Sequence, residues 1–365
     1  MKKKILVSIG TRPNFIKITQ FRKVAEQYKD QIELKILHTG QHFDNKMSKV
    51  FFEQFEMQPD YIIDLEARTP SAQIGEIMQK IEAYCQEFQP DLIMTPGDVN
   101  STLAAALVAN KMGIKLAHIE SGLRSFDREM PEEINRILTD EISDFLLVTE
   151  QSGLDNLRKD GKADEQVLYV GNTMIDTLIS FSPQIDACDI LDKLELEGND
   201  YVLVTMHRPS NVDNEAGLNK LIDTLDMMSQ QYKVVFPIHP RTLNRCKEFN
   251  LEDKLRSNTN LILLEPLDYF SFQKLIKNSK MVITDSGGIQ EETTYYQTPC
   301  LTLRENTERP STITIGSNEL IQFETAIVEE KLMAVKNGEF KKGNVPELWD
   351  GKATDRIFEK LVELL

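Results

Sequence analysis

Short apolar runs rich in Val, Ile and Leu recur along this chain, each separated from the next by an amphipathic stretch long enough to form a helix. Unbroken apolar runs are typical of strands buried on both faces, and parallel pairing requires a helical crossover between them. The pattern therefore predicts parallel sheets built from strand–helix–strand units. A first series of strands reads Lys4–Ile9, Glu33–His38, Leu92–Thr95, Lys115–Ile119, Phe145–Val148 and Val167–Val170. A second reads Tyr201–Thr205, Lys233–Ile238, Leu261–Leu264, Met281–Thr284 and Pro299–Leu303. After the first strand, Pro13 suits an opening helical turn, and Phe15, Ile16, Ile18 and Phe21 supply a helical face. With 365 residues the chain is long for one core, so the class expected is α/β with two Rossmann-like domains. The domains run over residues 1–170 and 171–353, and a last helix, 354–365, packs back on the first.

Composition narrows the function classes. The hydrophobic fraction of 41% and charged fraction of 27% are those of a soluble globular enzyme. The basic start, Lys2-Lys3-Lys4, is followed by too short an apolar run for a signal peptide, because Gly10-Thr11-Arg12-Pro13 breaks it. No stretch is long enough to span a bilayer. Cys85, Cys188, Cys246 and Cys300 are scattered and read as reduced, buried thiols, so a cytoplasmic protein is expected. A net charge of −16 argues against nucleic acid and anionic membranes as partners. An anionic substrate would then need local cations and helix N-termini.

In open parallel sheets ligands sit at the carboxyl ends of the strands, so the residues just after each strand carry the functional signal. After the first come Gly10 to Lys17, where Gly10 permits a tight turn and Arg12 and Lys17 place two charges by a helix N-terminus, as a phosphate site or as a solvated loop. Asp285-Ser286-Gly287-Gly288-Ile289-Gln290-Glu291-Glu292 repeats the arrangement, with room for a diphosphate at Gly287 and Gly288. Ser286 there is either a helix cap or a phosphate ligand, and Glu292 either a ribose acceptor or a complement to the helix dipole. Asp98, Glu120, Glu132 and Glu133 form a group of carboxylates. Asp98 reads also as a cap, and the two last as an ordinary first helical turn. Glu120 ends an apolar strand with Arg124 and Arg136 nearby in sequence, which makes it the best acid/base candidate. His207 stands at a strand end, while His42 and His239 could equally be core histidines. No metal-ligand spacing, Gly-x-Gly-x-x-Gly or P-loop motif occurs, and neither a metal nor a cofactor is expected.

Taken in order, Gly10-Thr11-Arg12-Pro13, Thr39-Gly40-Gln41-His42, Gly97-Asp98-Val99-Asn100-Ser101, His118-Ile119-Glu120-Ser121-Gly122-Leu123-Arg124, Pro131-Glu132-Glu133, Gly171-Asn172-Thr173, His207-Arg208, the Asp285–Glu292 segment and Thr307-Glu308-Arg309-Pro310 resemble the motifs of the non-hydrolysing UDP-N-acetylglucosamine 2-epimerases. The resemblance runs from residue 5 to about 320. It implies the GT-B fold, a homodimer, and interconversion of UDP-N-acetylglucosamine and UDP-N-acetylmannosamine for surface-polysaccharide synthesis. It also implies that Arg12, His207, Ser286, Gly287 and Arg309 hold the diphosphate and Glu292 the ribose. Phe272 lies by the uracil in that picture, with Lys17, Asp98, Glu120, Glu132 and Arg136 around the sugar. Gln41, Arg68 and His239 correspond to an allosteric site described for some members. Two features, Asn14-Phe15 and the short Arg124–Pro131 segment, look more like the branch acting on UDP-2,3-diacetamido-glucuronate or archaeal-type members. A GT-B glycosyltransferase, a hydrolysing 2-epimerase and a nucleotide-sugar-binding regulator are the competing readings.

Overall fold

The computed structural model describes residues 2–41 and 52–365, so His42 of the Thr39–His42 motif lies outside the described residues. The chain forms two compact units, Met1–Ser180 with Glu347–Leu365, and Phe181–Pro346. Helix Thr173–Ser180, just beyond the Gly171 turn, belongs to the first unit.

The first unit holds a seven-stranded parallel sheet: β1 (Lys3–Ile9), β2 (Ile32–His38), β3 (Tyr61–Ile62), β4 (Leu92–Pro96), β5 (Lys115–Ser121), β6 (Phe145–Val148) and β7 (Val167–Tyr169). Their spatial order is β3-β2-β1-β4-β5-β6-β7. Every residue of β4 and β6 is buried, as their unbroken apolar runs require. Helix Pro70–Phe88 packs Ile77, Ile81 and Cys85 against Ala104, Ala105 and Val108 of the helix Asn100–Met112. The chain then returns from the second unit to finish the first. The Trp349 indole N–H donates to the Thr149 carbonyl at 3.0 Å, and Asp176 accepts from Ala353 N, Thr354 N and the Thr354 hydroxyl, fixing the start of helix Ala353–Leu364.

The second unit repeats the winding with β8 (Tyr201–Thr205), β9 (Lys233–Pro237), β10 (Leu261–Leu264), β11 (Met281–Thr284), β12 (Cys300–Leu303) and β13 (Asn318–Ile321), ordered β10-β9-β8-β11-β12-β13. Strand order reverses between β1 and β4 in one sheet and between β8 and β11 in the other. The loops leaving these strands diverge there and open a crevice.

Two expectations fail locally. The helix after β1 stops at Ile16, and a second begins only at Phe21, so Phe15, Ile16, Ile18 and Phe21 do not share one helical face. Lys17 consequently stands at the helix C-terminal end, with Arg12 alone at its start. Glu120 does not end its strand: β5 continues to Ser121, and its register with β6 shifts across Glu120 in a bulge.

Candidate active site

At the β1/β4 switch point Asn14 ties the loops together. Its carbonyl oxygen accepts from Gly10 N and the Thr11 hydroxyl, and its amide donates to the Pro96 carbonyl at 3.0 Å. Gly97, directly after β4, has φ +72, and a Cβ there would stand 3.1 Å from Asn14 Nδ2 and 3.2 Å from Lys17 Nζ. Only glycine suits that conformation and that space. Lys17 and Glu120 form an ion pair beside it, with both residues buried. Glu120 itself adopts φ +70, a left-handed conformation that a glutamate holds only where the surroundings impose it. The bulge turns the carboxylate toward Gly97, beside which Lys17 pairs with it.

Arg124 and Arg136 hold further carboxylates. Arg136 pairs with Asp98 and with Glu133. Asp98 is partly exposed, and Asn135 Nδ2 holds its carbonyl at 2.9 Å. It is not the cap of helix Asn100–Met112, whose N-cap is Val99. Glu133 is buried and accepts from Ser125 N, Ser125 Oγ and Phe126 N, which makes it the anchor of that loop. Glu132 is exposed on the first turn of helix Pro131–Ile142. Arg124 donates to Asp140 at 2.6 Å and to Asp160 at 2.9 Å.

Sequence reasoning missed the support beneath this cluster. His118, fully buried on β5, has Nε2 2.7 Å from the Gly97 carbonyl and Nδ1 2.6 Å from Asp140 Oδ1. Burial pushes the Asp140 carboxyl up, but the charges and hydrogen bonds of His118 and Arg124 outweigh it and hold it below the usual range. The network fixes the carbonyl of Gly97 from below, and so fixes where Asp98 emerges. The available signal was a buried histidine on a strand whose neighbours end in Gly97 and Asp98.

At the second switch point Asp285 follows β11 and His207 follows β8. His207 Nδ1 lies 2.9 Å from Asp285 Oδ1, and the His207 ring is 40% exposed while Asp285 is wholly buried. Helix Gly287–Tyr296 begins two residues on, with Ser286 at its N-cap and its hydroxyl not used as the cap. No acidic residue occupies its first turn, so the dipole does not explain Glu292, which is buried in the next turn. A Cβ on Gly287 would fall 2.7 Å from Arg309 Nη1 and 2.8 Å from Glu308 Oε1, so the guanidinium tip lies on the glycine at a helix N-terminus. Arg309 is held by Glu308 and, through Nε at 2.8 Å, by Glu291. Arg304, which sequence reasoning passed over, donates to Glu308 at 2.9 Å, while its Nη1 is buried with no hydrogen-bond partner among the described residues. Burial and the charges of Arg208 and Arg309 draw Arg304 below the ordinary arginine range despite Glu308. Phe272 is half-buried against Tyr201, Leu275 and Ile276.

Gln41 and Arg68 line one cavity of about 340 Å³ with Asp64 and Ile63. Gln41 also accepts from Ser101 N at 2.9 Å. His239 belongs to the second unit, where it caps helix Pro240–Glu248 and its ring centroid is 5.3 Å from that of His207. All four cysteines are free, and Cys188 is only half-buried, contrary to expectation. Burial raises Cys85 and Cys300 to about 12, which leaves those thiols unreactive. Among the described residues no helix is long and apolar enough to cross a membrane.

Residues 25–362 match the family model described as UDP-N-acetylglucosamine 2-epimerase. The chain belongs to that family. It is 38% identical over 362 residues to the UDP-N-acetylglucosamine 2-epimerase of Methanocaldococcus jannaschii, covering 97% of each chain. It is also 35% identical over 365 residues to the UDP-2,3-diacetamido-2,3-dideoxy-D-glucuronate 2-epimerase of Pseudomonas aeruginosa, covering 99% of this chain and all of that one. The crystal structure of the M. jannaschii enzyme with UDP-GlcNAc and UDP matches at a TM-score of 0.89 and 37% identity, over 99% of each chain. That of the Neisseria meningitidis enzyme bound to UDP-GlcNAc matches at 0.88 and 27%, over 99% of this chain and 100% of the other. This family member thus has the GT-B fold class, with two Rossmann-like parallel sheets.

Proposed function

We propose that the chain is a non-hydrolysing UDP-sugar 2-epimerase that interconverts UDP-N-acetylglucosamine and UDP-N-acetylmannosamine by eliminating UDP to a glycal and adding it back. The single observation that carries this reading is Glu120, a buried carboxylate in a left-handed bulge, paired with Lys17 at a sheet switch point. The C2 proton of an N-acetylhexosamine has no adjacent carbonyl, so a stabilised carbanion at C2 is not available. Loss of UDP from C1 as the C2 proton leaves avoids that intermediate. This chemistry needs carboxylates for the proton and cations for the departing diphosphate.

In this reading Glu120, Asp98 and Glu132 share the proton chemistry, with Lys17 and Arg136 beside the sugar. The Gly287–Gly288 helix start, Ser286, Arg309, Arg12 and His207 serve the diphosphate, Glu292 the ribose and Phe272 the uracil. The Gln41–Arg68 cavity serves a regulatory ligand in this reading. A cytoplasmic homodimer serving polysaccharide synthesis completes the assignment. The family membership supports it, as does the acidic surface, which suits neither nucleic acid nor an anionic membrane.

The diacetamido-glucuronate sugar is the second reading, favoured by the P. aeruginosa relative. Incubation with each UDP-sugar, followed by NMR, separates the two. N-acetylmannosamine signals from UDP-N-acetylglucosamine are expected. Turnover of the glucuronate alone would transfer the assignment, and free UDP in step with product would make the enzyme hydrolytic.

His207→Ala and Arg309→Ala should each weaken UDP binding roughly ten- to a hundredfold, because charged groups lose a hydrogen bond to the diphosphate. His207→Ala is the cleaner variant, since Arg309→Ala also strands Glu291 and Glu308 in the interior and should lower Tm. Calorimetry showing unchanged affinity in both would place the nucleotide elsewhere.

A further inference from the structure

Asp285 is wholly buried, and its two oxygens collect a set of donors that all belong to one short segment. His207 N donates to both oxygens, at 3.1 and 3.0 Å; Arg208 N donates at 2.8 Å and Asn211 Nδ2 at 3.1 Å. The Arg208 Nε returns to the Asp285 carbonyl at 3.0 Å. Burial pushes the carboxyl up, but the His207 side chain and these backbone N–H groups hold it below its usual range, so it is an anion. An ionised carboxylate only accepts, so the His207 nitrogen facing it must carry a proton. That nitrogen is Nδ1, at 2.9 Å, which leaves Nε2 as the atom available to a ligand.

We propose that Asp285 is the positioning residue of His207: it fixes the ring rotamer, puts the proton on Nδ1, and stabilises the imidazolium whose Nε2–H meets the oxygen leaving C1. This rests on the elimination reading. In that step a carboxylate takes the C2 proton, the C2–H electron pair becomes the C1–C2 π bond, the C1–O pair departs with the diphosphate, and Nε2, which has taken up a proton from solvent as the UDP-sugar binds, donates that N–H to the new charge. A buried carboxylate behind an imidazole is a recurrent means of fixing its tautomer and stabilising its charged form. The neighbouring ring does not compete for the charge. His239 Nδ1 accepts from Arg241 N at 3.1 Å, and burial, reinforced by the nearby His207 charge, lowers its pKa. A salt link between β8 and β11 for loop shape alone would need neither Nδ1 nor an exposed imidazole edge.

Three measurements test this. In ligand-free protein labelled with 15N-histidine, the neutral His207 ring should show a protonated Nδ1 and an unprotonated Nε2. Asp285→Asn should slow epimerisation by up to about 10⁴-fold, the loss seen when a catalytic histidine loses its orienting carboxylate. In a His207→Asn background the same change should add almost nothing, because Asp285 acts through the ring. An Nε2–H tautomer in the unmodified protein overturns the proposal, as does an equal loss in both backgrounds, which would mark Asp285 as a loop anchor only. If Asp285→Asn does not fold, the ring spectrum of the unmodified protein decides. A protein with the expected tautomer that epimerises neither UDP-sugar would refute the elimination reading and leave the pairing standing.

Discussion

Replacing Glu120 by Gln should lower turnover by about 10²–10⁴-fold, the usual worth of a positioned acid or base, while UDP affinity stays nearly unchanged. Glutamine keeps the size of the side chain and removes its basicity together with its charge. Apart from Arg12, the nucleotide groups proposed for binding belong to the other sheet, and none of them is changed. Stability should fall as well, because Lys17, buried beside Glu120, loses its counter-charge; stranding one member of a buried pair costs about 3–5 kcal/mol. Turnover by stopped assay, UDP binding by calorimetry and thermal melting read the three effects separately. Near-normal turnover would make Glu120 structural and move the proton chemistry to Asp98, whose carboxylate Arg136 already holds.

How far the chain could be read in advance follows from which forces are local. Strands such as Phe145–Val148 and Met281–Thr284 match their expected limits because a doubly buried strand must be apolar throughout. Strand β3, with only Tyr61 and Ile62, and β13, which opens on Asn318 and Glu319, lie at sheet edges and carry no such signature. The switch points were legible as strand ends rich in polar residues, which placed Asp98, His207 and the Gly287–Gly288 helix start at strand ends in advance. What they pair with was not. Lys17 meets Glu120 only because the helix after β1 breaks at Ile16, and backbone strain at Glu120 leaves no trace in residue type. Likewise, the Asp285–His207 contact spans two strands that are neighbours only through the doubly wound order. Glu133 looked equivalent to Glu132 in sequence. One helical step separates them, which is enough to bury Glu133 under the Ser125–Phe126 loop and leave Glu132 in solvent.

Turnover in deuterium oxide should place deuterium at C2 of the product, and labelled oxygen at the C1 bridge should scramble to a nonbridging phosphate position. Each signal reports one bond. If one carboxylate removes the C2 proton and a second delivers another to the opposite face, solvent hydrogen enters at every productive event. If UDP leaves C1, its β-phosphate is free to rotate before readdition, and the bridge oxygen loses its identity. A redox route elsewhere on the ring leaves the C1–O bond whole, while direct deprotonation at C2 exchanges hydrogen without moving oxygen. Only elimination and readdition requires both. The cationic groups proposed for the diphosphate make the oxygen signal the more demanding of the two, since a grip by Arg309 and the helix N-terminus that outlasts readdition suppresses rotation. His207→Ala distinguishes that case, because loosening the grip should raise scrambling per turnover even as turnover falls. Deuterium at C2 with an intact bridge in both the unmodified enzyme and this variant would refute the mechanism.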